Sequence, residues 1–143
     1  MTKTFLASGV LLTAWRGKEG YDQAIAVMED SSREFCTSQF VKLELLPKAA
    51  FFKQELETEF YRTYFAQVKH EAPLSEDLGN EALALASAHG IAAADAVNLC
   101  AALRLGADEF ITSEKPGRPM FSVSRIKVTS LHSLKTPPRP LTP

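Results

Sequence analysis

Three carboxylates in this sequence are placed where they could act together on one ligand: Glu44, Asp95 and Glu114. Asp95 stands near the start of an alanine-rich apolar helix pattern, Glu114 directly follows a short apolar strand pattern, and Glu44 stands among leucines. An acid on a buried element needs a compensating charge, which a bound divalent cation would supply. Oxygen-only ligation suits a hard cation such as Mg²⁺ or Mn²⁺. Such a cation binds phosphate oxygens, acidifies a water and stabilises the leaving oxygen in an in-line displacement.

Each carboxylate taken alone supports this chemistry only weakly. A single glutamate such as Glu44 is more often a solvated residue or a salt-bridge partner, and Glu114 could instead cap the next turn. Asp95 is the strongest of the three, because the alanines around it offer no partner, although it could also serve as a helix cap in a fold that does no chemistry. The hypothesis therefore depends on the three side chains meeting in one pocket.

Histidine and cysteine offer no rival site. The three histidines, at positions 70, 89 and 132, are far apart and match no zinc spacing. Cys36 and Cys100 stand apart in apolar surroundings, so we interpret them as reduced core thiols of a cytosolic protein. The sequence contains no Gly-rich phosphate loop, no GxSxG motif and no Cys-His pattern of a nucleophilic enzyme.

The elements that would position the carboxylates alternate along the chain. Apolar stretches predict strands at residues 3–6, 34–37, 110–111 and 126–130, with a connector or short edge strand at 71–74. Strands that alternate with helices indicate a parallel sheet covered on both faces, and such sheets bind ligands at the carboxyl ends of their strands. Ser8, Ser38 and Thr112 each follow a predicted strand. We therefore expect them at one edge of the sheet, within reach of Glu44 and Asp95.

Local signals predict where the helices begin and end. Ser8, Ser38 and Ser75 are expected to cap helices, the first of which begins near Val10. Residues 19–30 predict a second helix, and Pro47 could either kink the helix after Ser38 or start a new one. Residues 49–68 form one amphipathic helical pattern rich in aromatic residues. Those aromatics indicate core and helix-pair packing, or alternatively a dimer or partner face.

Length and composition indicate one domain with one sizeable core. The chain has 143 residues, 45% of them hydrophobic, and a net charge of −1, so nucleic acid would be bound through a local basic patch or metal ions. No stretch approaches the roughly 20 apolar residues of a membrane span. The apolar N-terminus favours a buried strand and helix over a signal peptide. Residues 1–133 are expected to form the domain, and the proline-rich residues 134–143 a disordered tail.

Four segments, taken in order, resemble a PIN domain, the nuclease fold of VapC-like toxins. They are residues 5–12 at the first strand, residues 43–45 around the helical glutamate, residues 95–108 with their Asp-Ala start and Gly-Ala-Asp end, and residues 112–114 after a later strand. The resemblance covers roughly residues 3–130, and its third segment is the most specific. It implies a three-layer α/β/α sandwich with a central, mainly parallel sheet, and cleavage of RNA with bound Mg²⁺ or Mn²⁺.

Two positions depart from the family pattern. The first aspartate of the family, which contacts the metal directly, is Ala7 here, so one ligand is missing; either the position has been altered or the chain is a naturally inactive member. Glu114 stands in place of the last aspartate, where it keeps the charge and adds a methylene. The resemblance thus implies a ribonuclease, toxin-like in type, that is inactive or weakened by Ala7. The alternative is a non-catalytic PIN-like module that binds RNA or a protein.

The resemblance also assigns roles to residues and partners. Glu44, Asp95 and Glu114 would hold the metal, while Ser8 and Thr112 would orient carboxylates or the attacking water. The basic residues that could contact the RNA backbone, or could simply be solvated, are Lys42, Lys48, Lys115 and Arg118. The expected partners are an RNA substrate, an antitoxin protein and a second copy in a homodimer, with no membrane and a cytoplasmic location.

Overall fold

The computed structural model describes residues 1–135. Over these residues the chain forms five β-strands and six α-helices, with short 3₁₀ turns at Pro119–Ser122 and Leu131–Ser133. In chain order they are β1 (Thr2–Leu6), α1 (Ser8–Arg16), α2 (Tyr21–Met28), β2 (Arg33–Ser38), α3 (Gln39–Phe51), α4 (Glu55–Gln67), β3 (His70–Ala72), α5 (Glu76–His89), α6 (Ala93–Arg104), β4 (Glu109–Thr112) and β5 (Lys127–Ser130). Most of the predicted tail, residues 136–143, lies outside the described residues.

The five strands form one parallel sheet in the order β3-β2-β1-β4-β5. Strand β1 is central: Phe5 is in register with Cys36 of β2 on one side and with Phe110 of β4 on the other. Helices flank the sheet, because every connection between parallel strands must cross over it. The predicted fold class, an α/β sandwich around a mainly parallel sheet, is confirmed.

The apolar residues of β1 and β4 are covered on both faces of the sheet. Phe5, Leu6, Phe110 and Ile111 have no exposed surface, and the rings of Phe5 and Phe110 stack with centroids 5.3 Å apart. A strand buried on both faces shows a continuous apolar run rather than alternation. The short runs at 3–6 and 110–111 therefore predicted these strands correctly despite their length.

Two of the three predicted serine caps are confirmed. The Ser38 hydroxyl accepts a hydrogen bond from the Val41 N–H at 3.0 Å, and the Ser75 hydroxyl accepts one from the Leu78 N–H at 3.1 Å. The prediction for Ser8 was wrong, because the helix begins at Ser8 itself and Ala7 is the N-cap. Only one residue separates β1 from α1, so the chain turns into the helix two residues earlier than the pattern near Val10 indicates.

The prediction of one helix over residues 49–68 was wrong. Helix α3 continues through Pro47 and ends at Phe51, and α4 begins at Glu55. Between them Lys53 has a left-handed backbone with φ of 54°, and its N–H bonds the Ala50 carbonyl at 3.0 Å. A non-glycine residue in this conformation gives no sequence signal, so the break was not visible in the periodicity.

The aromatic residues of α3, of α4 and of the turn between them differ in burial. Tyr61 and Tyr64 are buried in the core, as packing between helices requires. Phe51 and Phe52 are 78% and 58% exposed at the turn between the helices, where their rings contact each other edge to face. The pattern of aromatics thus marks the core in α4 and an exposed apolar surface at the corner.

Both cysteines are buried free thiols, as the sequence indicated. Burial raises the pKa of Cys36 to about 12 and raises that of Cys100 as well, so both thiols are protonated and unreactive at neutral pH. As for membrane spans, none of the single helices in residues 1–135 has the length and apolar character to cross a bilayer. Only the pair α5 and α6 passes such a test together, bent by 117° at its break.

A buried polar network fixes the amino ends of the central strands. Glu109, the first residue of β4, is 7% exposed and accepts hydrogen bonds from the Thr4 hydroxyl at 2.8 Å and from the Arg33 guanidinium. Arg33 also donates to Asp30 at 3.0 Å. The pKa of Asp30 falls to about 2, mainly through hydrogen bonds from Ser32. The buried acid at this end of the sheet is therefore matched by a cation and a hydroxyl.

We expect Thr4→Val to lower the free energy of unfolding by about 1–3 kcal/mol, because it removes a hydroxyl donor from the buried Glu109 carboxylate. The matched control is Thr37→Val on the neighbouring strand. Thr37 is 1% exposed, and its hydroxyl has no hydrogen-bond partner within the described part of the chain. The control should change stability little or raise it. Urea unfolding measures both, and equal losses would contradict the role of the Thr4 bond.

Candidate functional site

The carboxyl ends of β1 and β4 lie side by side and place their following residues together. Leu6 is in register with Ile111, and the Ala7 N–H donates to the Ile111 carbonyl at 2.9 Å. Ala7 therefore continues the line of β1 beside the end of β4, and Ser8 opens α1 directly after it. Strand β2, on the other side of β1, ends at Ser38. The first, second and fourth strands thus end at one edge of the sheet.

The start of α1 packs against the loop after β4 at very close range. A Cβ atom placed on Gly9 would lie 2.1 Å from the Ser113 Oγ and 3.2 Å from the Ser113 Cβ. No real Cβ comes within 3.0 Å of a neighbouring atom without a shift. Glycine at position 9 is what allows the helix that follows Ala7 and the loop that carries Glu114 to approach each other.

Two other carboxylates lie close enough to Asp95 to affect its pKa. Asp95 is half-buried in the first turn of α6. Burial raises its pKa most, and the negative charges of Glu114 and then Glu44 raise it further. The structure therefore brings these three predicted residues from three segments within electrostatic range of one another. A cation at this place would remove a repulsion that the described side chains leave in force.

Glu44 is half-buried on α3 and held by two hydrogen bonds. Burial raises its pKa, while hydrogen bonds from the side chains of Asn98 and Ser8 oppose that shift. The Asn98 amide donates to Glu44 Oε1 at 2.9 Å. Ser8, expected from the resemblance to orient a carboxylate or the attacking water, thus contacts a carboxylate in the structure.

Side chains of neighbouring residues hold the loop that carries Glu114 through hydrogen bonds to its backbone. The Thr112 hydroxyl accepts a hydrogen bond from the Glu114 N–H at 3.1 Å, and the Ser130 hydroxyl donates to the Glu114 carbonyl at 2.6 Å. His132 bonds the Ser113 carbonyl at 3.0 Å. Thr112 therefore positions the backbone of Glu114, while Ser130 and His132 support the same loop. Neither Ser130 nor His132 was among the predicted site residues.

The acidic residues line two different cavities. Asp95 and Glu114 line one of about 280 Å³ together with Arg118. Glu44 lines another of about 410 Å³ with Lys48 and other residues of α1, α3 and α4. Within residues 1–135, no group of three histidine, cysteine, aspartate or glutamate side chains is arranged to hold a metal ion. Glu114 and Glu44 thus act on Asp95 through their charge, but the three residues do not form a closed group of metal ligands.

The four basic residues singled out in the sequence have different surroundings. Lys42 forms an ion pair with Glu71 and lies 5.5 Å from the centroid of the Phe65 ring, so its charge is already engaged. Arg118 pairs with Glu114 at 3.6 Å, at the rim of the cavity that Asp95 lines. Lys48 lines the cavity of Glu44, and Lys115 is exposed. Arg118 and Lys48 are therefore the better placed of the four.

Sequence reasoning missed Asn98; it predicted Ser38 as a helix cap and at this edge of the sheet, but not as a partner of Asn98. Asn98 is 3% exposed and Ser38 fully buried, and the Ser38 hydroxyl donates to the Asn98 Oδ1 at 2.8 Å. A signal was present: Asn98 stands three residues after Asp95 in an otherwise apolar stretch, and a buried amide needs polar partners. Which partners it would find could not be seen in the sequence.

Comparison with known proteins agrees with this geometry. Residues 5–115 match the PIN domain family, and the chain belongs to it. A search of curated proteins finds no match. Among solved structures, a toxin–antitoxin complex from Klebsiella pneumoniae is similar at 16% identity with a TM-score of 0.69, and the alignment covers 92% of this chain and 99% of that one.

Two further structures are similar at lower identity. VapBC2 from Rickettsia felis, bound to a DNA fragment from its promoter, matches at 12% identity and a TM-score of 0.67, over 90% of this chain and 98% of that one. VapC20 from Mycobacterium tuberculosis, a toxin that cleaves the sarcin-ricin loop, matches at 14% identity and a TM-score of 0.60, over 83% and 94%. At these identities the likeness shows a shared fold.

We expect Gly9→Ala to lower the free energy of unfolding by about 1–3 kcal/mol, because the new methyl group overlaps the Ser113 hydroxyl. The loss should shrink when Ser113→Ala is added, which gives a coupling of about 0.5–3 kcal/mol in a double-mutant cycle. Gly79→Ala is the control: it sits in α5 with open space around it, so it should stabilise the helix. Additive effects of the Gly9 and Ser113 changes would show that the close approach carries no strain.

We expect Asp95→Asn to raise the melting temperature at pH 7. A carboxyl whose folded pKa is raised destabilises the fold once the pH exceeds its unfolded value, near 3.8, so the gain should shrink as the pH falls towards that value. The control is Asp77→Asn, an exposed aspartate in the first turn of α5, where the charge favours the helix N-terminus. That change should lower stability slightly. A loss in both variants would contradict the repulsion at Asp95.

Proposed function

We propose that this chain is a metal-dependent ribonuclease of the PIN type, the toxin component of a toxin–antitoxin pair, with its activity weakened by Ala7. One observation carries the proposal: at the carboxyl edge of the sheet, the charges of Glu44 and Glu114 both bear on Asp95. Folding alone does not call for two further acids within electrostatic range of a half-buried aspartate. Membership of the PIN family and the likeness to VapC structures support the assignment.

The candidate ligands have the chemistry that a divalent cation prefers, but one ligand is missing because position 7 is alanine. All the donors are carboxylate oxygens. The pKa of Asp95 is raised mainly by burial and further by the negative charges of Glu114 and Glu44, which a cation would neutralise. The described residues nonetheless contain no closed group of three ligands. Ala7, which follows β1 at the same edge, contributes no oxygen. We therefore assign Asp95, Glu114 and Glu44 as the ligands of a weak Mg²⁺ or Mn²⁺ site.

Bound Mg²⁺ or Mn²⁺ would supply charge neutralisation at the scissile phosphate and an acidified water. The chain's own residues would arrange the substrate around it. Ser8 and Asn98 hold the Glu44 carboxylate in place, and Thr112 fixes the loop that carries Glu114. Arg118 at the cavity rim and Lys48 beside Glu44 are suited to contact the RNA backbone.

The proposed partners follow from the same assignment. Several structural neighbours are complexes of a toxin with its antitoxin, which supports an antitoxin as the partner of this chain. The exposed Phe51 and Phe52 at the corner between α3 and α4 offer an apolar surface for such a partner or for a second copy. RNA as the substrate, a homodimer and a cytoplasmic location stay predictions.

The proposal predicts that Ala7→Asp produces Mn²⁺-dependent cleavage of RNA, at a rate at least about tenfold above that of the parent chain, because it restores a ligand. The activity should vanish when Asp95→Asn is added. A panel of structured and unstructured RNAs, each incubated with and without EDTA, provides the assay, and Ala7→Asn separates the restored charge from the restored size. Cleavage that survives in Ala7→Asp/Asp95→Asn would indicate a contaminating nuclease.

The parent chain with Ala7 should bind Mn²⁺ weakly, because a site that lacks one anionic ligand loses affinity and water activation together. Calorimetric titration of the parent and of Ala7→Asp, at the same pH and ionic strength, measures the difference. Tight binding by the parent would contradict the weakened site.

A non-catalytic PIN-like module is the second candidate. The lack of a three-ligand group among the described residues, together with Ala7, favours it. It is distinguished by the same variant: no cleavage of any RNA by Ala7→Asp, with Mn²⁺ binding also absent, would leave a module that binds RNA or a protein. The further option that Asp95 is merely a helix cap is not favoured, because the N-cap of α6 is Ala92.

A further inference from the structure

A chain of hydrogen bonds with a single direction connects the start of α3 to Glu44. The Val41 N–H donates to the Ser38 hydroxyl at 3.0 Å, which leaves the hydroxyl proton free to donate onward. It donates to the Asn98 Oδ1 at 2.8 Å, and the Asn98 amide nitrogen donates to Glu44 Oε1 at 2.9 Å. The Asn98 carbonyl is thus occupied by Ser38, so the NH₂ group must face the carboxylate.

Because these hydrogen-bonded side chains are buried, their orientation is fixed. Ser38 is fully buried and Asn98 is 3% exposed, so water cannot replace either partner readily. A flipped Asn98 amide would set its carbonyl oxygen against Glu44 and its NH₂ group against the hydroxyl. A buried polar group left without its partner costs about 1–3 kcal/mol, so the flipped state is disfavoured. The amide therefore presents a fixed donor to one oxygen of Glu44.

Two explanations of Asn98 are available. It could serve only the fold, as a partner for the buried Ser38 hydroxyl, and Glu44 would then be incidental. Ser38, however, already has a structural role as the cap of α3, and an apolar residue at 98 with alanine at 38 would fill the same space without any polar group. What Asn98 adds is a buried, fixed donor to Glu44 Oε1, beside the hydrogen bond that the Ser8 side chain makes to the same carboxylate.

We propose that Asn98 is a positioning residue for the nuclease site: it donates to Oε1 of Glu44 and, with Ser8, holds that carboxylate for the cation that Asp95 and Glu114 would also bind. This inference rests on the proposed function and deepens it. Asn98 touches neither substrate nor metal and acts through Glu44 alone. The hydrogen bond between Asn98 and Glu44 does not involve the residue at position 7.

The test compares Asn98→Leu with Ser38→Ala, both in the Ala7→Asp chain. Leucine has a similar volume and no donor, so Asn98→Leu should weaken Mn²⁺ binding at least about tenfold and lower kcat for RNA more than it changes KM. Ser38→Ala removes the cap and should cost about 0.5–2 kcal/mol of stability. It keeps the Asn98 donor but removes the hydroxyl that orients it, so Mn²⁺ affinity should fall less than in Asn98→Leu. Equal Mn²⁺ affinity in Ala7→Asp and in Ala7→Asp/Asn98→Leu would overturn the proposal.

A double-mutant cycle adds a readout that a purely structural role would not move. If Asn98 acts through Glu44, then adding Asn98→Leu to Glu44→Gln should cause no further loss of Mn²⁺ affinity, whereas independent roles would give additive losses. Additive losses would overturn the proposal. If Ala7→Asp itself neither cleaves RNA nor binds Mn²⁺, the proposed function fails and this inference fails with it. If Ala7→Asp cleaves RNA and Asn98→Leu leaves cleavage unchanged, only the inference fails.

A measurement without any change at Asn98 covers the case in which Asn98→Leu does not fold. The side-chain amide protons of Asn98, observed by ¹⁵N NMR in the Ala7→Asp chain, should exchange slowly and should shift on addition of Mg²⁺. Their signals should also move in Glu44→Gln. Fast exchange, or signals that do not respond to Glu44→Gln, would show that the amide does not hold the carboxylate and would overturn the proposal.

Discussion

Repulsion of the half-buried Asp95 by two nearby carboxylates at the carboxyl edge of the sheet is the constraint on which the site depends. The contrast with the amino edge makes it clear. There Glu109 is more deeply buried than Asp95, but Arg33 and the Thr4 hydroxyl satisfy it. At the other edge the charges that bear on Asp95 are those of Glu114 and Glu44, and they raise its pKa. Glu109 has partners that explain its burial, whereas the charges around Asp95 favour a bound cation.

The parallel sheet makes this concentration of charge possible. Because every strand runs in the same direction, residues that follow β1, β2 and β4 all arrive at one edge, although they lie far apart in the sequence. The stacked Phe5 and Phe110 rings hold the two central strands in the register that sets Ala7 beside the end of β4. Gly9 then permits α1 to approach the loop of Glu114. A rigid apolar core thereby holds like charges together that would separate in a looser structure.

The sequence could predict what local chemistry decides. The caps at Ser38 and Ser75 and the buried central strands depend on a few neighbouring residues, and they were predicted correctly. The break at Lys53 could not be seen, because a lysine in the left-handed conformation has no sequence signature. The early start of α1 depends on how β1 meets its helix in three dimensions. The amide of Asn98 has two partners, 60 and 54 residues away, so its role appears only once the chain is folded.

Ala7 also explains why the surrounding contacts alone do not decide between an enzyme and a binding module. Ser8 and Asn98 bond Glu44, and Ser38 bonds Asn98, so these contacts fit an enzyme and a binding module alike. Removing one carboxylate from such an edge relieves repulsion and favours the fold, while it weakens the attraction for a cation. Stability and ligation thus respond in opposite directions at position 7. These hydrogen bonds join side chains of the protein alone, and they do not relieve the repulsion that Glu114 and Glu44 add to the effect of burial on the pKa of Asp95.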